Sequence, residues 1–541
     1  MVDANSNLIL IFIIFLIWIP QATYQVLVWA YWLQVKEYRF DRFWVFLRTP
    51  DGADKLYLKS IFLKFLGITL VLIFPYLLFL PGLVIFLFVY QDVLFLIDLI
   101  KSNIKKPIVT ERAEKILTTC SVGIVTTLII GFLSSFTIFQ TLLIGEVIIL
   151  FSHIIGILWT IPIVNKIKKE EISRAKWILQ SIKPTVIGIT GSYGKTSTKE
   201  FVAHLLSQKY QTAKTEGSEN TEFGIARKTY KNVEKGIKYF VVEMGAYKRG
   251  EIKKLADIVN PDAGIITGIE PQHLSLFGNI DNIKKSKFEL IEALPEGGIA
   301  VMNLSNNYVR DLKKRAEKLK TNLKIFGYYL QERQDKISGA KIYSRIVAAD
   351  EHSITFDVFE GTTKRRFSVP LNGVHFVENL TGAILISRLF NLSWQEIAKG
   401  LTSLPTSPHT MKVFTMTNGN IIVDDSYNST PSGFTAALRY IELFKNKKKV
   451  VVTAGIIELG NLSERIHTKL SKMMVGKLEM LILLNKEVYK TIRDNGNVIN
   501  SKLIRDPVKI GNELDKLKDT VILLEGRQPT KLVKYLEKNY V

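Results

Sequence analysis

The segment Gly191-Ser-Tyr-Gly-Lys-Thr-Ser197 stands between a β-branched run, Thr185-Val-Ile-Gly-Ile-Thr190, and an apolar stretch, Phe201 to Leu206, that reads as a helix. Strand, glycine loop ending in Gly-Lys-Thr, then helix is the setting in which backbone N–H groups and a helix N-terminus hold phosphate oxygens. Gly191, Ser192, Gly194 and Ser197 would line such a loop. Lys195 would reach the terminal phosphates, and the Thr196 hydroxyl would bind Mg²⁺. The strict pattern asks for a glycine five residues before Gly194, where Ile189 stands instead. A carboxylate, Glu243, ends the apolar run Tyr239 to Val242, at the strand end where α/β sheets bind ligands. His375 and Asn379 are four residues apart on an expected helix, so they share a face and can meet one ligand. Asp424 and Asp425 end another short strand, Ile421 to Val423.

The variant loop Ile189-Thr-Gly-Ser-Tyr-Gly-Lys-Thr-Ser-Thr198 resembles the ATP loop of the Mur ligase family, the ATP-dependent ligases that build the cell-wall peptide. Further segments resemble that family's motifs in its order. They are Thr215 to Gly224, Val241-Val-Glu-Met-Gly245 with Arg249-Gly-Glu-Ile252, Pro271-Gln-His-Leu274, Lys284 to Glu289 and Gly373 to Asn379. Val423-Asp-Asp-Ser-Tyr-Asn-Ser-Thr-Pro431 and Ala454-Gly-Ile-Ile-Glu-Leu-Gly460 are similar to one branch, the MurF type. The likeness runs from about Pro184 to the C-terminus. It implies that Glu243 and His273 join Thr196 as metal ligands, that Lys195, Lys287 and His273 are catalytic, and that Lys287 is carbamylated. It also implies that His375 and Asn379 meet the adenine and that Asp425 contacts the ribose. Asn220, Tyr427, Asn428 and Arg527 would face substrate.

The pattern also departs from the family. Thr410 stands where the family usually has an ATP-contacting Arg, with Lys412 as the nearby cation. An Arg fork and a Lys point charge are not equivalent. The Asn-rich loop keeps Asn220 but has Ser218 and Thr221 where asparagines are common. Glu525-Gly-Arg527 lies where relatives carry Lys-Gly-Ser-Arg.

The elements that must position these residues alternate strand and helix. Residues 177–407 read as a P-loop central domain with a mainly parallel sheet. Within it, a small β-rich insertion covers about 338–371. Residues 411–541 repeat strand and helix, with buried strands at Val450–Thr453, Met480–Leu484 and Thr520–Leu524. By resemblance this is a Rossmann-like domain that closes over ATP.

The first 165 residues are different. The chain has 541 residues, is 47% hydrophobic and carries a formal charge of +22, yet its mean hydropathy is +0.15. Residues 1–165 hold 12 Lys/Arg against 10 Asp/Glu, leaving 60 basic and 40 acidic residues in the other 376. Disordered and collagen-like chains are excluded. Long uncharged runs predict a membrane domain of four to five transmembrane helices, near 8–33, 65–80, 82–100, 116–138 and 141–163. The second and third of these are two short spans or a re-entrant hairpin. Basic segments at Lys36–Lys64, Lys101–Lys115 and after Lys166 put the N-terminus outside and the rest of the chain in the cytoplasm. Asp92, Asp98 and Glu146 lie in or near the spans. Intramembrane acids are functional candidates, and Asp98 reads as interfacial. Cys120 is the single cysteine, so no internal disulfide forms.

The fold class is therefore an α-helical membrane region followed by α/β. The expected function is a multi-pass ligase of the cytoplasmic membrane, using ATP and Mg²⁺ to join an amino acid or dipeptide, D-Ala-D-Ala foremost, to a UDP- or lipid-linked cell-wall precursor. Membrane spans stand where a MurF-type ligase has the domain that grips the UDP-sugar. Alternatives are a related ligase for a pseudomurein or polyglutamate-type acceptor, or a membrane scaffold with a degenerate ATPase domain. No nucleic-acid motif accompanies the basic charge. Anionic lipid or a phosphorylated substrate accounts for it.

Overall fold

A computed structural model describes residues 4–537 apart from 102–103, 135, 218–219, 320–321, 333–335, 405–410, 427–428 and 497–499. The chain divides into two compact units, Met1–Lys169 and Glu170–Val541.

The first unit is helical: α1 (Ala4–Val35), α2 (Phe40–Leu47), α3 (Pro50–Lys55), α4 (Leu58–Ile73), α5 (Phe79–Ile100), α6 (Glu111–Leu133) and α7 (Ile138–Ile182), whose last turns belong to the second unit. Among the described residues, α5, α6 and α7 are long and apolar enough to cross a membrane, by length and composition. Helices α6 and α7 approach through small residues. A Cβ at Gly123 would lie 3.1 Å from Ile148, one at Gly145 2.7 Å from Thr127, and one at Gly156 3.2 Å from the Ile116 backbone. Close approach through glycine is how apolar helices gain packing without help from water. Large apolar side chains such as Phe62, Phe86, Phe132, Phe151 and Leu158 face outward.

The interior of this unit holds charge. Lys64, expected at the end of a basic loop, lies inside α4 with no exposure, and its Nζ is 2.9 Å from Glu146 Oε2 on α7. The helix begins at Leu58, so its first turns absorb residues that charge alone assigns to the loop. Gln25 Oε1 accepts from Lys64 at 3.4 Å, and Trp18 Nε1 donates to Glu146 Oε1 at 3.3 Å. Asp98, expected at the interface, accepts from the Tyr24 hydroxyl at 2.6 Å.

The described residues of the second unit form two sheets. The larger has the strand order β2-β3-β1-β4-β5-β6-β7-β8-β9. Its strands are β1 (Thr185–Thr190), β2 (Thr212–Lys214), β3 (Tyr239–Glu243), β4 (Ala263–Ile266), β5 (Ile299–Asn303), β6 (Lys324–Leu330), β7 (Ala340–Ala349), β8 (Ile354–Glu360) and β9 (Thr363–Val369). Pairs from β2 to β7 are parallel, while β7–β8 and β8–β9 are antiparallel. The segment 338–371 thus continues the central sheet, because β7 pairs with β6. Both faces are buried, as parallel sheets require. Ile187, Ile189 and Val241 pack on one side with α8 (Lys195–Leu206) and the helix Phe376–Leu389. Val186, Phe240 and Val242 pack on the other with the helices Glu251–Val259 and Ile280–Glu292.

The second sheet has the order β10-β11-β15-β12-β13-β14 and is parallel except for β10–β11. Its strands are β10 (Lys412–Thr415), β11 (Ile421–Asp425), β12 (Lys448–Thr453), β13 (Met480–Leu483), β14 (Ser501–Leu503) and β15 (Thr520–Glu525).

Candidate active site

The site grows from the C-terminal ends of β1, β3 and β4. Gly194 caps α8 with φ 74°, a left-handed conformation that glycine adopts without a Cβ clash. A Cβ there would run into Asn379 Oδ1, so the glycine also admits Asn379. No side chain caps α8, whereas Thr221 and Asn279 cap the helices Glu222–Asn232 and Ile280–Glu292. The first-turn N–H groups of α8 are left for an anion. The loop is pinned to the segment after β4. Ser192 N donates to Gly268 O at 2.7 Å, Ser192 Oγ to Glu270 O at 3.1 Å, and Thr267 Oγ1 to Tyr193 O. Gly191 and Ser197 are buried beside it.

Glu243 pairs in register with Ile189 at the strand end. Its Oε2 accepts from the Thr196 hydroxyl at 2.9 Å and its Oε1 from Asn220 Nδ2 at 3.1 Å. Lys199 is fully buried one turn further along α8. Its Nζ lies 3.8 Å from Glu243, 3.3 Å from Glu200, and donates to the Gly217 carbonyl at 2.6 Å. Sequence reasoning passed over Lys199. The signal was a second lysine on an otherwise apolar, buried helix face.

Three basic groups converge here. Burial lowers the pKa of Lys287 to about 7, and Lys195 adds repulsion, while Glu251, Glu289 and Glu243 pull the other way. Lys195 is half-buried, and loss of solvent lowers its pKa against the pull of Glu243. His273 is lowered mainly by burial and further by Lys195 and Lys287, with Glu458 opposing. Its Nδ1 meets Glu458 Oε2, and its ring lies 4.7 Å from that of Tyr247. The segment around Glu458 is visible in the sequence, but its contact with His273, 185 positions away, is not.

Among the described residues, no three His, Cys, Asp or Glu side chains converge to hold a metal. A Mg²⁺ ion suits this: it takes one or two carboxylates and completes its shell with phosphate oxygens and water. The Thr196 hydroxyl and Glu243 carboxylate, already in contact at the phosphate loop, form such a partial oxygen set.

On the other flank, His375 precedes the helix Phe376–Leu389, and burial lowers its pKa to about 4. Among the described residues its Nδ1 has no hydrogen-bond partner. It lines a cavity of about 1160 Å³ with Glu270, Glu378, Ser432 and Arg439. Asp425 sits in register with Glu525 on β15. Burial raises Asp425 to about 7, its neighbour Asp424 adding to it; burial and the Asp425 charge raise Glu525 well above the carboxylate range. Ser429 Oγ donates to Glu525 at 2.6 Å.

The structure therefore gathers Gly191, Ser192, Gly194, Lys195, Thr196, Asn220, Glu243, His273, Lys287 and Asn379 about one loop. Arg527 is exposed. Lys412 is exposed on β10, its Nζ 4.5 Å from the Phe414 ring centroid. Thr410, Tyr427 and Asn428 lie outside the described residues.

Fold and site together define an α/β protein organised around the glycine loop between β1 and α8, with a carboxylate on the adjoining strand and a buried lysine within electrostatic reach of Lys195 and that carboxylate. The model of the Mur ligase middle domain matches residues 189–387. The UDP-N-acetylmuramoyl-tripeptide–D-alanyl-D-alanine ligase of Borreliella burgdorferi is 30% identical over 330 residues, 61% of this chain and 68% of the relative. The Bacillus subtilis ligase of the same name is 30% identical over 302 residues, 54% of this chain; the chain spans 61% of that relative's length. The crystal structure of MurF ligase from Thermotoga maritima in complex with ADP superposes with a TM-score of 0.58 at 25% identity, covering 69% of this chain and 84% of that one. The chain belongs to the Mur ligase family.

Proposed function

We propose that the chain is a membrane-anchored, ATP-dependent amide ligase of cell-wall precursor synthesis. The carrying observation is the Thr196–Glu243–Asn220 contact set at the phosphate loop, with the desolvated Lys287 amine beside it. In this reading a substrate carboxylate oxygen attacks the terminal phosphorus of ATP, the bond to ADP breaks, and an acyl phosphate forms. The incoming amine then attacks the acyl carbon, releasing inorganic phosphate and a proton. A cation held by Thr196, Glu243 and His273 would neutralise charge on the transferred group. Lys195 and the first turn of α8 hold the phosphates. His375, Asn379 and Asp425 hold the nucleoside. Asn220 orients Glu243, and Tyr427, Asn428 and Arg527 are assigned to substrate.

Lys287 is proposed to be carbamylated. Its neutral amine attacks carbon dioxide, a C–N bond forms, a proton leaves, and the cation becomes an anion able to support a second Mg²⁺. A pKa near 7 makes the neutral amine available at neutral pH.

Residues 177–407 and 411–541 act as the central and closing domains, the latter read as Rossmann-like. The helices of residues 1–165 anchor them with the ligase part in the cytoplasm. The acceptor is then a wall precursor met at the membrane face, and the added group is D-Ala-D-Ala. The test is mass analysis after supplying full-length protein with ATP, D-Ala-D-Ala, and either UDP-linked or lipid-linked precursor. The expected result is ADP and a product heavier by the dipeptide less water. ATP hydrolysis without any ligated product overturns the reading. Modification of the UDP-linked precursor alone removes the lipid-linked acceptor.

A further inference from the structure

The loop after β4, Thr267-Gly-Ile-Glu-Pro-Gln-His273, reaches the second sheet at two points three residues apart. Glu270 Oε2 accepts from Ser432 N at 3.2 Å. Ser432 lies in the first turn of the helix Pro431–Ile441, where N–H groups lack intrahelical partners, so the carboxylate completes that helix end. In the opposite sense, Glu458, on the loop after β12, places its carboxylate on His273 Nδ1 and accepts from Ser275 N at 3.3 Å through its carbonyl. Each partner lends the other a carboxylate. His273 has φ 54° and Glu458 has φ 62°. Left-handed backbone is costly for side chains of this size and persists where surrounding contacts hold it.

A histidine whose Nδ1–H is held by a carboxylate carries its lone pair on Nε2 and has a fixed ring orientation. The ring therefore takes its tautomer from a residue on the other sheet.

We propose that Glu458 is a positioning residue that makes His273 a competent ligand only when the second sheet is seated on the central one, with Glu270 on the helix end at Ser432 as the matching half of the clasp. This rests on the ligase reading above. It gives closure a chemical consequence: the ligand set is complete only in the seated state.

Full-length protein in detergent tests it with Mn²⁺ as the probe, titrated by electron paramagnetic resonance with a non-hydrolysable ATP analogue. A second readout is the distance between labels at Lys235→Cys and Lys518→Cys, both exposed, with Cys120→Ser. Glu458→Ala is expected to weaken nucleotide-dependent Mn²⁺ binding about tenfold or more, the scale for losing a partner of a metal-bound histidine. It should also broaden the label distance. Glu458→Gln keeps an oxygen acceptor for Nδ1–H and should restore most of the affinity. His273→Ala combined with Glu458→Ala should lose no more than His273→Ala alone. Wild-type Mn²⁺ affinity and distance in Glu458→Ala, or additive losses in the double variant, overturn the proposal. Absence of nucleotide-dependent Mn²⁺ binding in the wild type overturns the ligase reading as well.

Discussion

Both units bury lysines, and two of these, Lys64 and Lys287, have opposite surroundings. Lys64 in α4 has a carboxylate at 2.9 Å and an amide oxygen at 3.4 Å, both inside the helical core. Lys287 is 3% exposed and makes no ion pair among the described residues. Its Nζ lies 5.8 Å from the centroid of the Phe277 ring. Acids are present, but they are engaged. Glu289 accepts from Gly250 N and Lys253 N, and Glu251 accepts from Tyr247 N and Lys248 N. Burial alone does not define a lysine's role. A buried lysine with a carboxylate in contact is a fixed charge that pins helices together. One whose acids are committed elsewhere is an amine that can lose its proton and react.

The comparison is broken most severely at Lys64. Lys64→Met or Glu146→Gln alone leaves a buried polar group without its partner and should cost about 3–5 kcal/mol. Denaturant unfolding in detergent would measure this. Lys64→Met with Glu146→Met should recover most of the loss, because no uncompensated charge remains. If the double variant is as unstable as either single one, the pair does more than balance charge.

Lys287→Met should do the reverse. Stability should not fall, since no ion pair is broken, while ligation should drop at least about a hundredfold in kcat, the scale for removing one electrostatic group from a reacting centre. Intact-protein mass should show one added carbon dioxide in the wild type and none in Lys287→Met. Full activity in the variant would return Lys287 to a structural role.

The titration of Lys287 sharpens the contrast. Its pKa is depressed to about 7, so the reactive neutral form grows as pH rises through 7. With dissolved carbon dioxide held constant, carbamate formation, followed by carbon-13 NMR with labelled carbon dioxide, should be low at pH 6 and high at pH 8. A midpoint near 10, the ordinary lysine value, would mean that the amine is not desolvated as the geometry indicates.

Some of this was readable from residues. The loop Gly191 to Ser197 lies between an apolar strand and a helix because the hydrophobic period changes there, and that change is local. Glu243 is placed by the same logic, as the polar end of a buried run. What was not readable depends on distant partners. Lys64 belongs to a basic stretch in sequence, and only Glu146, 82 positions on, makes its burial tolerable. Glu458 meets His273 across 185 positions. The β7–β9 segment alternates as any hairpin would, and only its register with β6 makes it part of the central sheet.

The smallest expected effect tests whether distance by itself carries the argument. Lys313 and Glu317 are one helical turn apart, with Nζ 2.5 Å from Oε1, closer than Lys64 is to Glu146. The Glu317 side chain is 48% exposed, whereas both partners of the Lys64 pair are fully buried. Water solvates Glu317 whether or not Lys313 is there, so Glu317→Ala should change stability by less than about 0.5 kcal/mol. The same denaturant measurement detects the difference from Lys64→Met. A loss at Glu317 comparable to that at Lys64 would show that contact geometry, and not desolvation, sets the strength of these pairs. The contrast between the two buried lysines would then need another cause.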